Sequence, residues 1–235
     1  LTEEIFMAET KYTIAVIGGT GALGFGLALR WAKAGHAIVI GSRAQDSADR
    51  GAERLAALAP DAAISGLVNG AAAAAAEIVV LTVPFANQAP MLEAIKPGCQ
   101  GKIMVDVTVP LQPPKVRTVH LPEHGSAGRR AQIFLGEGVR VVSAFQNVAA
   151  DHLTDLEHDI DCDILVCGND PEARAIVVGL AEDASMRAWH AGRIENSVVA
   201  EALTSALIFI NNRYKIAGAG IRLTGAPGSA ESGGH

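Results

Sequence analysis

The stretch YTIAVIGGTGALG, Tyr12 to Gly24, decides how this chain is read. Tyr12 to Ile17 is a short apolar run that stops at glycines, the pattern of a buried parallel strand. Gly19, Gly21 and Gly24 follow at G-x-G-x-x-G spacing. From Ala22 to Ala34, Leu23, Leu27 and Trp31 fall in helical step, and Gly35 ends the run. In such a strand–turn–helix, Gly19 permits the tight turn, Gly21 lets the backbone approach a pyrophosphate, and Gly24 allows close helix–strand contact. The helix N-terminus then offers free N–H groups and a partial positive charge to the phosphates. A glycine-rich turn without a ligand is the plainer alternative, but spacing and context both favour a dinucleotide.

The next strand, His36 to Ile40, separates the two dinucleotides. An NAD site carries Asp or Glu about 20 residues beyond the glycines, on the ribose 2′-hydroxyl. Here the strand ends in Gly41-Ser42-Arg43, with no acid. Ser42 donates a hydrogen bond and Arg43 pairs with a 2′-phosphate, with Thr20 near enough to assist. The sequence thus specifies NADP. The competing role is Ser42 as a helix cap and Arg43 as a solvated charge.

Further out, strand and helix keep alternating. Asp46 is placed to cap a helix ending near Leu58. Ala62 to Leu67 reads as a weak strand, and Asn69 as the cap of the alanine-rich turn Gly70 to Glu77. Ile78 to Val83 is a strand closed by Pro84. The following helix runs through Ile95 to a turn at Lys96-Pro97-Gly98. Lys102 to Val109 and Val139 to Phe145 read as strands, with Ser126 to Leu135 as a short helix between them. Asp163 to Cys167 is another strand, and Pro171 opens a helix to about Ala184. Asn196 to Ile216 is the longest helical pattern, with Val199, Leu203, Ala206, Ile210 and Tyr214 along one stripe. The fold class is therefore α/β: a Rossmann-like, doubly wound parallel sheet with a small C-terminal helical part. Residues 11–150 form the nucleotide-binding part, 151–225 an α/β extension with the last helix, and 226–235 a disordered tail.

Ligands of such sheets bind outside the C-terminal strand ends. Val83 and Pro84 after one strand, and Val107 near the end of another, therefore flank the ribose and nicotinamide, unless both valines are core residues only. Hydrophobic residues at 49 % and charged residues at 19 % describe a globular chain. A net charge of -6 without a basic cluster argues against nucleic acid as a partner. Cys99, Cys162 and Cys167 lack metal spacing and read as reduced, buried thiols of a cytoplasmic protein. No run reaches the ~20 apolar residues of a membrane span, and Leu1 to Thr10 has no signal-peptide plan. No metal cluster or paired-acid constellation stands out. His120, His124, His152 and His158 are scattered and read as structural or solvated.

Taken together, Gly18 to Gly24, Gly35-His36, Ile40 to Arg43, Leu81 to Pro84, Val141 to Phe145 and Asn196 to Gly225 resemble the NADPH-dependent reductases of the deazaflavin coenzyme F420. The likeness spans residues 12–225. It implies that Thr20, Gly21, Ala22, Leu23, Ser42 and Arg43 bind NADP and that Ala149 lies beside the nicotinamide. It also implies a deazaflavin stacked over that ring, with hydride passing directly between them. Family members usually carry His after the strand matching Val141 to Phe145. This chain has Gln146-Asn147, which donate hydrogen bonds but carry no proton at neutral pH. With Phe85 they form the expected wall of the acceptor site, the alternative being a simple capping turn.

The expected activity is hydride exchange between NADP(H) and F420. A reductase of another acceptor (a flavin, imine or ketone) and a non-catalytic NADP sensor are the alternatives. The apolar crowding of Leu203, Leu207, Ile208 and Phe209 leads us to expect a homodimer through the last helix.

Overall fold

Branched residues at a two-residue period cover both faces of the sheet. In β1, Thr13–Ile17, Ile14 and Val16 turn to one face while Ala15 and Ile17 turn to the other. The structure, a computed structural model, describes residues 10–225. The expectations for the first nine residues and for the tail from 226 lie outside the described residues.

The remaining strands are β2 Ala37–Ser42, β3 Ile64–Val68, β4 Ile78–Leu81, β5 Ile103–Asp106, β6 Arg140–Ser143, β7 Asp163–Gly168 and β8 Arg187–His190. They form a sheet in the order β3-β2-β1-β4-β5-β6-β7-β8. The first six are parallel. β7 runs antiparallel to β6, and β8 parallel to β7. Helices α1 Ala22–Lys33, α2 Gln45–Leu58 and α6 Pro171–Asp183 cover one face. On the other lie α3 Asn69–Ala75, α4 Gln88–Cys99 and α5 Ala127–Leu135. The strand order reverses between β1 and β4, which opens a crevice beyond their C-terminal ends.

The alanine-rich run has a packing reason. A Cβ on Gly98 of α4 would stand 2.8 Å from Ala74 N and 3.0 Å from Ala73 C. α3 and α4 thus pack backbone against backbone, and only small side chains fit. Arg30 of α1 ties its helix to the segments that follow β6 and α6. Its guanidinium donates to Leu153 O at 2.9 Å, Asp155 O at 2.9 Å and Ala184 O at 3.2 Å.

Several local expectations are corrected. α4 continues through Lys96-Pro97-Gly98 to Cys99, because Pro97 falls in the last turn, where one lost backbone bond is tolerable, and Gly98 is held against α3. Asp46 lies in the first turn of α2, whose N-cap is Ala44. Asn69 is the first helical residue of α3, makes no capping bond, and follows the N-cap Val68. β8 has no counterpart in the sequence reading, since four residues at an edge carry too little periodicity. The last helix, α7 Ser197–Tyr214, is rotated from the expected stripe. It buries Ser197, Ala200, Glu201, Ser205 and Leu207, while Val199, Phe209 and Tyr214 are 55 %, 52 % and 69 % exposed. The reason is polar: Glu201 accepts the N–H groups of Ala127 at 2.6 Å and Gly128 at 3.0 Å, and Ser197 donates to Ser126 at 2.8 Å.

Candidate functional site

A cleft of about 850 Å³ lies beyond the C-terminal ends of β1, β2 and β4. Thr20, Gly21, Ser42, Arg43, Val83 and Pro84 line it, six of the residues expected there.

The glycines divide by what requires them. The left-handed residue of the turn is Gly18, at φ +80°, and not Gly19, to which the tight turn was assigned. A Cβ on Gly19 would stand 2.8 Å from Val16 O, and one on Gly24 would stand 2.5 Å from Thr82 Oγ1. The fold itself therefore demands glycine at both. Around Gly21, a Cβ would meet only Gly18 O, at 3.4 Å. Protein packing leaves room for a side chain there, so the fold does not itself demand glycine at this position. The N-terminus of α1 adjoins it. Gly21 is the N-cap, no side chain caps the helix, and the first turn has no acid. The N–H groups of Ala22, Leu23 and Gly24 thus face a region suited to an anion.

At the end of β2, Arg43 is exposed and has no ion pair or hydrogen bond among the described residues. Ser42 does not cap α2, which removes the competing role considered for it. Ser47, in the first turn of α2, adds a hydroxyl to the cleft and accepts from Arg50 at 3.2 Å. A guanidinium without a carboxylate, a hydroxyl pair and an uncapped helix end fit a dinucleotide with an extra phosphate. Thr82 Oγ1 donates to Ile17 O at 2.8 Å and closes the crevice floor. The Val107 side chain is 3 % exposed and packs in the core below, so only its backbone is at the strand end.

The second group of expected residues lies apart from this lining. Phe145 is fully buried with φ 71°, an unfavourable conformation for a bulky residue, and it turns the chain sharply after β6. Gln146 and Asn147 follow, each 4 % exposed. Gln146 Nε2 donates to Asp106 O at 2.9 Å and Ser143 Oγ at 2.8 Å. Asn147 Nδ2 donates to Asp163 O at 2.9 Å and Cys162 Sγ at 3.1 Å. Their donors are spent inside the protein, contrary to the donor role read from the sequence, while Gln146 Oε1 and Asn147 Oδ1 have no partner among the described residues. Ala149 borders small cavities of about 70 and 240 Å³ against α7 and the 217–220 segment.

A polar chain that the sequence reading missed runs behind Phe85. The Arg130 guanidinium lies 4.3 Å above the Phe85 ring and donates to Gln88 Oε1 at 2.9 Å. Gln88 Nε2 donates in turn to Asp106 and to Ala127 O at 3.1 Å. Burial pushes the Asp106 carboxyl up to about 6, against the hydrogen bonds from Thr108 and Gln88. Burial also pushes Glu201 up to about 7, and Asp106 adds to that shift. Two buried acids thus converge on the N-terminus of α5, where the sequence showed no pair. The one signal was Asp106 itself, an acid inside an apolar strand run. His152 and His158 stack at 4.2 Å, and His36 binds Asp183 at 2.7 Å, both away from the cleft lining.

Residues 13–110 match the model of a family described as NADP oxidoreductase coenzyme F420-dependent. The F420-dependent NADP reductase of Methanocaldococcus jannaschii is 42 % identical over 219 residues, which are 90 % of this chain and 97 % of that protein. The protein of the same name from Methanothermobacter thermautotrophicus is 41 % identical over 91 % of this chain and 95 % of its own length. Among solved structures, one from Arthrobacter sp. FB24 superposes with a TM-score of 0.75 at 24 % identity, over 91 % of this chain and 99 % of that one. An imine reductase from Myxococcus stipitatus gives a TM-score of 0.64 at 18 % identity, over 88 % of this chain and 62 % of that one. At these identities the two structures speak for the fold alone.

Proposed function

The chain belongs to the family of F420-dependent NADP reductases, and from that membership we propose that it transfers hydride between NADP(H) and coenzyme F420. The bound pair supplies the chemistry, a hydride exchanged between nicotinamide and deazaflavin, and the protein supplies binding and orientation. The observation that carries the nucleotide half is the open space at Gly21 beside the uncapped end of α1.

In this reading residues 11–150 hold the nucleotide, and residues 151–225 close the acceptor side. The turn from Gly19 to Gly24 takes the pyrophosphate on its backbone N–H groups, with Ala22 and Leu23 foremost. Thr20, Ser42 and Arg43 hold the 2′-phosphate. The backbones of Val83, Pro84 and Val107 flank the ribose and nicotinamide, with Ala149 beside the ring. Phe85, Gln146 and Asn147 form the acceptor wall. The partnerless carbonyl oxygens of Gln146 and Asn147 support an accepting role toward ring N–H groups.

No helix among the described residues is long and apolar enough to cross a membrane. We further propose a cytoplasmic protein, on the evidence of three free, buried cysteines, and a homodimer through the outward apolar face of α7. Stopped-flow oxidation of NADPH across F420, riboflavin phosphate and a cyclic imine tests the activity. F420 should be reduced much faster than the others. Clear turnover of another acceptor with none of F420 would overturn the reading.

A further inference from the structure

Asn69 has no explanation in the fold. It is 7 % exposed and lines the cleft at the end of β3. As the first residue of α3 it makes no capping bond, and its Oδ1 is buried without a hydrogen-bond partner among the described residues. On its inner side it abuts Gly41, where a Cβ would stand 3.0 Å from Asn69 Oδ1, 3.0 Å from Ile17 Cδ1 and 3.1 Å from Val16 O. A buried amide without a partner costs stability, so its retention in a ligand cleft asks for a ligand group.

We propose that Asn69 is a further cofactor-binding residue, whose carboxamide carbonyl accepts a ribose hydroxyl of the adenosine half of NADP. The proposal rests on the dinucleotide reading of the cleft. In NAD enzymes of this fold an acid at the end of the second strand accepts the ribose 2′-hydroxyl; in NADP that oxygen carries the phosphate, and the 3′-hydroxyl is the one left to donate. Here the strand end holds Ser42 and Arg43, and Arg43 is a donor only. Gly41 and Ser42 pair in register with Leu67 and Val68, so Asn69 continues β3 just past the point where the acid would stand. Its amide is free to make the half-turn about χ2 that brings the carbonyl to the cleft, because no hydrogen bond holds it. A carboxamide accepts a hydroxyl without placing a negative charge beside the 2′-phosphate, which a carboxylate would do.

Calorimetric titration of the full chain with NADP+ and with NAD+, together with thermal unfolding of the ligand-free protein, tests the assignment. Asn69→Leu should weaken both nucleotides by a similar factor, roughly 5- to 10-fold. It should leave the ligand-free melting temperature unchanged or higher, since a partnerless polar atom is removed. Asn69→Asp should weaken NADP+ more than NAD+, narrowing the preference roughly 10-fold. Wild-type affinities in Asn69→Leu would overturn the proposal, as would a lowered melting temperature with affinities intact, which marks a structural role. If Asn69→Leu fails to fold, the ratio in Asn69→Asp decides alone, and an unchanged ratio overturns the proposal. A wild-type chain that binds neither nucleotide would instead sink the dinucleotide reading.

Discussion

Asp163 and Arg187 face each other across β7 and β8 in a two-pronged ion pair, with both N···O distances at 2.7 Å. The same carboxylate accepts Leu223 N–H at 2.7 Å and Trp189 Nε1–H at 3.1 Å. It thereby straps the C-terminal segment to the sheet. Nearby, the same segment presses on the expected nicotinamide side, because a Cβ on Gly218 would stand 2.6 Å from Ala149 Cβ.

Those donors, the Arg187 bond first, hold the Asp163 carboxyl down at about 2 from its ordinary 3.8. A depressed acid contributes stability above its unfolded value, and that contribution fades as pH falls through the folded value. Protection of residues 219–225 against hydrogen exchange, taken relative to the intrinsic rate at each pH, should therefore hold at pH 5 and fall between about 4 and 2. Asp163→Asn should show the lowered protection at pH 5 already. Equal protection in the variant would dismiss the strap.

Glu201 runs the opposite way. Burial raises it from 4.5 to about 7, so over that interval the folded state holds a proton that the unfolded state has lost. Its contribution is complete below about 4.5 and is lost as pH rises through about 7. Urea midpoints should fall from pH 5 to pH 8, and Glu201→Gln should flatten that slope. A wild-type midpoint constant over the interval would contradict the raised acid.

The glycines of the turn should separate in a paired experiment. Gly21→Val should melt near the wild-type temperature yet bind neither nucleotide by calorimetry. Gly24→Ala drives a Cβ into Thr82 Oγ1, 2.5 Å away, and strains the Thr82–Ile17 bond. It should cost about 1–3 kcal/mol of stability, as overpacking does. Normal NADP affinity in Gly21→Val would remove the phosphate from this loop.

Arg43→Ala should discriminate between cofactors. A hydrogen bond to a charged group contributes about 1.5–3 kcal/mol, so NADP affinity should drop roughly 10- to 150-fold. NAD affinity should hardly move. Equal losses for both would mean that Arg43 does not read the 2′-phosphate.

The outward face of α7 predicts assembly. Phe209 is 52 % exposed and Val199 55 %, an apolar surface on a helix whose inner face is already satisfied. Light scattering should give twice the chain mass at micromolar concentration, and Phe209→Glu should halve it. A wild-type monomer at that concentration would end the dimer reading.

The strand–glycine–helix turn was legible because its parts are neighbours in the chain. Strand, glycines and helix from Tyr12 to Ala34 obey local rules, and Ser42 with Arg43 stands at a strand end that the hydrophobic run itself marks. The alternation of short apolar runs and helical patterns likewise determined the doubly wound sheet. Side-chain partnerships across long separations were not legible. Glu201 caps a helix 74 residues earlier, and that contact turns α7 so that its polar side is buried and its apolar stripe faces outward. Asn69 looked like a helix cap, the commonest local use of asparagine, until the sheet set it against Gly41 with no partner. Local propensity fixes which segments become strands or helices, whereas the face a helix buries depends on which distant donors and acceptors would otherwise be left unpaired.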